Sequence, residues 1–139
     1  MTKIIVLYGP PGCGKSTKAK KLLEQYGCKK AVIVSDDDIR QSCGEWNKPL
    51  MDYIIAVQDF MVRAALQRNL IPIIDSVNLD EGVKNKWRLT AKEFNVDIEF
   101  IEVIVPFKVA CERDKNRGNK VGRIAIAYHY QKYYPELLK

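Results

Sequence analysis

The chain has 139 residues, of which 47% are hydrophobic and 29% are charged, and these values are ordinary for one globular domain. Its net charge of +6 suits a polyanionic partner such as a nucleic acid. A single histidine and four cysteines without a Cys-x-x-Cys pair argue against a zinc site. The apolar stretch 3–8 is too short for a signal peptide or a membrane span, so we expect a soluble, cytoplasmic protein with reduced thiols and no membrane partner.

The predicted elements alternate between strands and helices from the start of the chain. Residues 3–8 form a β-branched strand, and residues 15–26 have helical spacing that ends at Gly27, a natural C-cap. A second strand covers 31–34 and leads into a short helix that Ser35 or Asp36 caps. A long amphipathic helix covers 51–68, and its predicted apolar stripe includes Ile54, Val57, Met61, Ala65 and Leu66.

The same alternation continues in the second half of the chain. A strand covers 71–75, a helix with Asn78 or Asp80 as its N-cap covers 79–94, and a strand closed by Pro106 covers 98–105. A helix at 107–115, a loop at 116–122 and a helix at 123–133 follow. This order predicts an α/β domain in which helices flank both faces of a parallel sheet of about four strands. Residues 1–139 then form a single three-layer domain, with its binding crevice at the carboxyl ends of the strands.

The segment GPPGCGKS matches the phosphate-loop pattern G-x-x-x-x-G-K-[ST] at every fixed position and lies between a strand and a helix. Its glycines let successive backbone N–H groups point at phosphate oxygens, and the helix N-terminus adds partial positive charge. Lys15 can reach the β- and γ-phosphates, and Ser16 can place its hydroxyl on Mg²⁺. The pattern therefore predicts a P-loop fold that binds a nucleoside triphosphate and Mg²⁺, but the motif alone does not give the reaction. The predicted ligand-binding residues are Gly9, Gly12, Cys13, Gly14, Lys15, Ser16 and Thr17.

Carboxylates follow two other strands and should open onto the same crevice. Asp75 ends the third strand, where it could hold Mg²⁺ through water or orient an arginine near the acceptor substrate. In SDDDIRQS, only Asp36 and Asp37 lie three or four residues before Arg40, where side chains share a helix face. A phosphotransferase needs such a pair, because a carboxylate accepts the proton of the attacking hydroxyl and a guanidinium holds an anionic acceptor.

A basic segment follows the fourth strand. Residues 108–123 carry six Lys and Arg side chains against Glu112 and Asp114 alone. Arg113 and Arg117 stand four residues apart, at the end of a short helix and the start of a Gly-containing loop. An arginine that closes over the γ-phosphoryl group stabilises the charge of the transition state. The pattern favours a lid over a solvated basic face, with Arg117, followed by Gly118, as its main arginine.

Four stretches together resemble the kinase domain of phage-type polynucleotide 5′-kinases: GPPGCGKST, SDDDIRQS, IIDSVNLDEGVKNKWRLTAKEF and CERDKNRG. The similarity covers about residues 3–133 with the same order and similar spacing. Many kinases share the phosphate loop, whereas the DD-x-R-Q-S and R-x-x-x-R-G elements are more specific. Such kinases transfer the γ-phosphate of ATP to the 5′-hydroxyl of DNA or RNA. The resemblance thus implies a P-loop kinase fold whose ligands are ATP, Mg²⁺ and a nucleic acid with a 5′-hydroxyl end. It also implies a role in nucleic-acid repair in the cytoplasm, which for a phage-encoded protein would be that of the host cell.

The resemblance also implies a role for each matching residue. Asp37, the first aspartate of the DD-x-R unit, becomes the general base, and Arg40 becomes the clamp on the acceptor's phosphate. Lys15, Asp37 and Arg117 are thus the expected catalytic residues. On the nucleotide side the expected residues are Lys15, Ser16 and the lid arginines Arg113 and Arg117.

Two departures from the phage pattern bear on the acceptor. That pattern places an aspartate and a threonine directly before the asparagine of the N-L pair, where this chain has Ser76 and Val77 with Asp75 one residue earlier. This spacing leaves Asp75 without a defined role. The phosphatase motif D-x-D-x-T of bifunctional members is not in the sequence, so we expect no phosphatase activity. The aromatic tail AYHYQKYYPELLK fits core packing, a subunit interface or base stacking, so an oligomer stays open, and the histidine in it, His129, is expected to be structural.

Three functions remain open from the sequence. The first is an ATP-dependent polynucleotide 5′-hydroxyl kinase, which the basic charge and the DD-x-R unit favour. The second is a small-molecule, nucleoside or nucleotide kinase of the same fold, for which Arg40 alone would anchor an anionic acceptor. The third is a non-catalytic ATP-binding or toxin-like module that acts through partner contacts.

Overall fold

The computed structural model describes residues 2–27, 29–44, 47–117 and 120–138. Four strands form one parallel sheet: β1 (Lys3–Tyr8), β2 (Ala31–Ser35), β3 (Ile71–Asp75) and β4 (Asp97–Glu102). The strand order is β2-β3-β1-β4, so β1 lies in the interior next to β3. The helices are α1 (Lys15–Tyr26), α2 (Asp36–Gln41), α3 (Lys48–Gln67), α4 (Glu81–Phe94), α5 (Phe107–Lys115) and α6 (Arg123–Tyr133), and a 3₁₀ turn covers Pro135–Leu138. The predicted α/β architecture is confirmed.

Helices cover both faces of the sheet, because the side chains of each strand alternate between two cores. On one face, Ile5, Leu7 and Ile73 pack against Ala19 and Leu22 of α1. On the other face, α3 and α4 cover the residues Ile4, Val6, Val34 and Ile74 with Val62, Leu66, Trp87 and Ala91. The interior strands β1 and β3 are almost continuously apolar for this reason, as expected of parallel strands that are buried on both faces. The edge strand β4 instead carries three acids and is only partly buried.

A third cluster joins the phosphate loop to the C-terminal helices. Cys13, Ala110, Cys111, Ile126 and Tyr130 are all buried together. The aromatic tail therefore contributes Tyr130 to the core, whereas Tyr128 is exposed. Three thiols, those of Cys13, Cys43 and Cys111, are free, as predicted, and Cys28 lies outside the described residues.

Several predicted boundaries were wrong by a few residues. α3 begins at Lys48, before position 51, because the Asn47 side chain accepts a hydrogen bond from the Leu50 N–H and a proline follows in the first turn. β4 ends at Glu102, before position 105, because its partner β1 ends opposite it at Tyr8 and turns into the phosphate loop. Helix α4 starts after Asp80, which caps it through the Gly82 N–H at 2.7 Å.

The orientation of α3 also differs from the predicted stripe. Ile54, Ala65 and Leu66 are buried as expected, but Val57 and Met61 are only half-buried. Val62 and the polar Gln58 take the buried positions in their place. Within the described part of the chain, no helix is long and apolar enough to cross a membrane.

Candidate active site

The phosphate loop occupies residues 9–14, between the end of β1 and the start of α1. Gly12 and Gly14 have positive φ angles of 83° and 95°, which glycine adopts without strain. A Cβ atom on Gly12 would lie 2.7 Å from the Ala110 carbonyl oxygen, so α5 also restricts this position to glycine. The Gly9 N–H donates to the carbonyl of Val77 at 3.0 Å, and this bond connects the loop to the segment that follows β3. The loop is thus held from both sides.

Lys15 lies folded over the phosphate loop. It is 8% exposed, and its ammonium donates to the carbonyl oxygens of Gly9 at 2.8 Å and Pro10 at 2.9 Å. Burial lowers the pKa of Lys15 from its ordinary value, and the nearby carboxylate of Asp75 opposes that shift. A phosphate group entering the loop would therefore offer this ammonium a stronger partner than two neutral carbonyls.

Asp75 lies next to the phosphate loop, because β3 is the neighbour of β1. Its carboxylate accepts a hydrogen bond of 2.8 Å from the Ser16 hydroxyl. Burial raises the pKa of Asp75 above its ordinary value, although the hydrogen bond from Ser16 and the charge of Lys15 act in the opposite direction. A hydroxyl and a carboxylate oxygen at the mouth of a phosphate loop are the hard ligands that Mg²⁺ prefers, with water and phosphate completing its shell. The residues present therefore fit a magnesium ion.

The segment SDDDIRQS forms α2, at the carboxyl end of β2. Ser35 is its N-cap, and its hydroxyl accepts from the Asp38 N–H at 3.3 Å. The Arg40 guanidinium lies 4.0 Å from Asp36 and 3.9 Å from Asp37, so the predicted helix face is confirmed. Burial raises the pKa of Asp36, and the adjacent charge of Asp37 adds to the effect. Asp37 is more exposed than Asp36, and both line the cleft.

The lid arginines reach the cleft from the other side. Arg117 lies 3.4 Å from the Asp37 carboxylate, across 80 positions of sequence. Arg113 extends over the phosphate loop, since a Cβ atom on Gly14 would lie 3.1 Å from its Nη1 atom. Gly118, which follows Arg117, falls outside the described residues. Arg113 lies next to the phosphate loop, whereas Arg117 pairs with the predicted base Asp37 and not with a phosphate-loop residue.

A buried carboxylate, Asp114, joins the end of α5 to the start of α6. It is 4% exposed and accepts hydrogen bonds from the backbone N–H groups of Val121 at 2.8 Å and Gly122 at 2.9 Å. The Arg117 N–H also donates to the Asp114 carbonyl at 3.1 Å. The start of α6 is thereby fixed against the end of α5, and Arg117 is fixed next to both.

These elements enclose one cleft of about 510 Å³. The side that carries the nucleotide motif and the side that carries α2 face each other across it. The predicted site residues that line the cleft are Gly12, Gly14, Lys15, Ser16, Thr17, Asp37, Arg40, Asp75, Arg113 and Arg117. Gly9, the first residue of the loop, is not part of the cleft lining. The thiol of Cys13 points away to the Tyr130 hydroxyl at 3.2 Å, so Cys13 can offer a phosphate only its backbone.

Some residues of the cleft were not predicted. Ser76, Val121, Ala125 and His129 line its walls, and the His129 Nδ1 atom lies 2.8 Å from the Ala125 carbonyl. Behind the wall, the Gln58 side chain donates to the Ser76 hydroxyl at 2.7 Å. The sequence shows a polar residue, Gln58, next to the apolar residues of α3, and this could have indicated a buried hydrogen bond. The sequence does not show that the partner is Ser76, which lies on another element.

The model of the AAA domain family AAA_33 matches residues 4–133. The chain belongs to the AAA_33 family. Its sheet, its phosphate loop and its family together make this AAA_33 chain a P-loop kinase-type domain with a nucleotide-binding loop. The predicted resemblance is therefore confirmed at the level of a P-loop kinase domain.

Curated relatives of this AAA_33 chain include kinases of different substrates. The L-seryl-tRNA(Sec) kinase of Methanococcus maripaludis is 26% identical over 132 residues, which are 94% of this chain and 52% of the relative. The adenylate kinase of Wolbachia pipientis wMel is 27% identical over 126 residues, which are 82% of this chain and 59% of the relative. The chain thus spans between half and three-fifths of the length of these relatives.

Solved structures show the same fold. A chain of the Pnkp1/Rnl/Hen1 RNA repair complex superposes with a TM-score of 0.81 at 26% identity, covering 97% of this AAA_33 chain and 45% of that chain. The Mycobacterium tuberculosis APS kinase CysC, solved with AMPPNP and APS, superposes with a TM-score of 0.68 at 13% identity, covering 83% of this chain and 69% of that one. The second likeness concerns the fold alone.

Proposed function

We propose that this chain is an ATP-dependent kinase that phosphorylates the 5′-hydroxyl end of DNA or RNA. The observation that carries the proposal is that Asp37 and Arg40 of α2 line the same cleft as the predicted nucleotide-binding residues Lys15 and Ser16. Their side chains are 39% and 47% exposed, so this side of the cleft is open to a large acceptor. An acceptor that continues beyond the reacting hydroxyl, as a nucleic acid does, needs such an opening.

On the donor side, the phosphate loop and Lys15 would hold the β- and γ-phosphates of ATP. Ser16 and Asp75 would hold Mg²⁺, which when bound neutralises the charge of the phosphate oxygens. Entry of the nucleotide draws the Lys15 ammonium away from the carbonyls of Gly9 and Pro10, which are 2.8 and 2.9 Å from it. The P-loop thereby aligns the γ-phosphoryl group with the acceptor side of the cleft.

On the acceptor side, Arg40 would bind the first phosphate of the nucleic acid, and Asp37 would accept the proton of the attacking 5′-hydroxyl. Asp37 now pairs with Arg117 at 3.4 Å. As negative charge spreads over the γ-phosphoryl oxygens, Arg117 gains a competing partner and Asp37 is released to the hydroxyl. Phosphoryl transfer depends more on this positioning than on the basicity of the carboxylate.

Two of the comparisons support an acceptor that contains RNA. One relative is a kinase of seryl-tRNA, and one neighbour belongs to an RNA repair complex. A second candidate function is phosphorylation of a nucleotide or another small molecule. It is favoured by the adenylate kinase relatives.

An acceptor panel with γ-labelled ATP tests the proposal. The acceptors are a 5′-hydroxyl DNA oligonucleotide, the matching RNA, seryl-tRNA, nucleoside monophosphates and small alcohols. Label on the oligonucleotides supports the proposal. Label on nucleoside monophosphates or small alcohols alone contradicts it and assigns the second candidate function. Label on seryl-tRNA alone contradicts both. A protein that binds ATP and labels none of them is the non-catalytic module.

A further inference from the structure

A buried polar side chain lies behind the acceptor side of the cleft. Gln58 is 7% exposed in the middle of α3, among the apolar residues that pack against the sheet. Burying an amide is unfavourable unless it is hydrogen-bonded. Its Nε2 atom donates to the Ser76 hydroxyl at 2.7 Å, so α3 places a fixed donor directly behind the residue that follows β3.

The hydrogen bond from Gln58 sets the direction of the Ser76 hydroxyl. A serine hydroxyl has one hydrogen and two acceptor positions. Because the oxygen accepts from Gln58, its hydrogen is directed elsewhere. Asp36 is the neighbour of Ser76 at the cleft, because β2 and β3 pair with Ser35 opposite Asp75, and the residue that follows each of these lines the cleft. Ser76 is 9% exposed, so water competes little for the bond from Gln58.

Asp36 in turn contacts Arg40. Its carboxylate lies 4.0 Å from the Arg40 guanidinium on the same face of α2, while Asp37 lies 3.9 Å from another nitrogen of the same group. The guanidinium is thus bracketed by two carboxylates. Asp37 is also paired with Arg117 and is more exposed, so Asp36, backed by Ser76, is the more firmly held of the two.

We propose that Gln58 and Ser76 are positioning residues for the acceptor, which act through Asp36 to fix the direction in which Arg40 presents its guanidinium. The inference rests on the proposed function for its consequence, since Arg40 is the clamp on the acceptor's phosphate. The row Gln58, Ser76, Asp36 and Arg40 runs from the core to the cleft across α3, the end of β3 and α2.

The competing explanation is that the Gln58–Ser76 bond only ties α3 to the sheet. That role would change stability and would affect ATP and acceptor alike. A positioning role instead affects the acceptor alone, and only while Arg40 is present. The two explanations therefore differ in a measurable way.

A double-mutant cycle on kcat/KM for a 5′-hydroxyl oligonucleotide tests the proposal. Gln58→Met, which keeps the volume and removes the donor, should lower kcat/KM for the oligonucleotide about fivefold, the effect of losing one hydrogen bond. KM for ATP should stay unchanged. In an Arg40→Ala background the same substitution should have no further effect. Ser76→Ala should behave like Gln58→Met, and Ser76→Thr, which keeps the hydroxyl, should restore the wild-type value.

Thr90→Val is the matched control. Thr90 is 3% exposed and its hydroxyl donates to the Lys86 carbonyl at 3.0 Å, so it is a buried hydrogen bond on α4 that lies outside the cleft lining. It should leave both constants unchanged. Equal losses for ATP and oligonucleotide in Gln58→Met, or an undiminished loss in the Arg40→Ala background, would overturn the positioning role.

A second readout judges the inference without catalysis. The Nε–Hε resonance of Arg40, identified by its loss in Arg40→Ala, should shift in Gln58→Met and in Ser76→Ala but not in Thr90→Val. An unmoved resonance overturns the inference. If the wild-type protein labels no oligonucleotide, the proposed function fails, while the resonance still decides whether Gln58 controls Arg40.

Discussion

One buried carboxylate, that of Asp114, holds Val121 and Gly122, and replacing it should release them without unfolding the domain. Asp114 accepts two backbone hydrogen bonds, from Val121 at 2.8 Å and Gly122 at 2.9 Å. Hydrogen bonds to a charged group contribute about 1.5–3 kcal/mol each. Since Val121 is exposed, part of that energy is recovered by water when the segment opens. A net loss of about 3 kcal/mol corresponds to a roughly 100-fold larger population of the open segment.

Amide hydrogen exchange measures this population directly. In Asp114→Ala, the N–H groups of Val121 and Gly122 should exchange roughly 100-fold faster, whereas amides of β1 keep their protection. Glu112→Ala is the matched control, since Glu112 is an exposed acid on the same helix. Unchanged exchange at Val121 and Gly122 in Asp114→Ala would refute the anchoring role.

Three further predictions concern the site and the core. Folding raises the pKa of Asp36, so ionisation of this carboxyl opposes folding. Asp36→Asn should therefore raise Tm at pH 8, and this gain should shrink toward pH 4 as the carboxyl of the wild type becomes protonated. A gain in Tm that does not depend on pH would contradict this. Gly12→Ala should weaken ATP binding about tenfold or more in calorimetry, because φ is 83° and the Ala110 carbonyl is in the way; unaltered affinity would refute the close approach. Trp87→Ala should cost about 3–5 kcal/mol in urea unfolding, whereas the exposed Leu89→Ala should cost at most about 0.5 kcal/mol; similar costs would contradict the assigned core.

The elements with local signals could be predicted from the sequence. Helix α1 starts after the phosphate-loop glycines and ends at Gly27, and both ends agree with the prediction. The start of α3 was predicted too late because the apolar periodicity begins at Met51, although Asn47 and Pro49 carry an N-cap and a first-turn signal. Asn78, considered as a cap, instead adopts a positive φ of 50° and bonds the Leu7 carbonyl at 2.7 Å.

The contacts that build the site depend on strand order and helix rotation, which no local pattern gives. Ser16 and Asp75 meet across 59 positions because β3 lies beside β1. If β3 were not a neighbour of β1, Asp75 would lie away from the phosphate loop. Gln58 reaches Ser76 because α3 is rotated relative to its predicted apolar stripe. The sequence could therefore indicate which residues carry the chemistry, but not which of them touch.

The central claim is that the Asp37 side of the cleft receives a 5′-hydroxyl. The most direct test is label transfer from γ-labelled ATP to one oligonucleotide prepared with a 5′-hydroxyl and, separately, with a 5′-phosphate. We predict label on the 5′-hydroxyl form alone, and its loss in Asp37→Ala while ATP affinity is kept; Lys15→Ala should lose both. Equal labelling of the two forms, or near wild-type turnover of Asp37→Ala, would contradict the account.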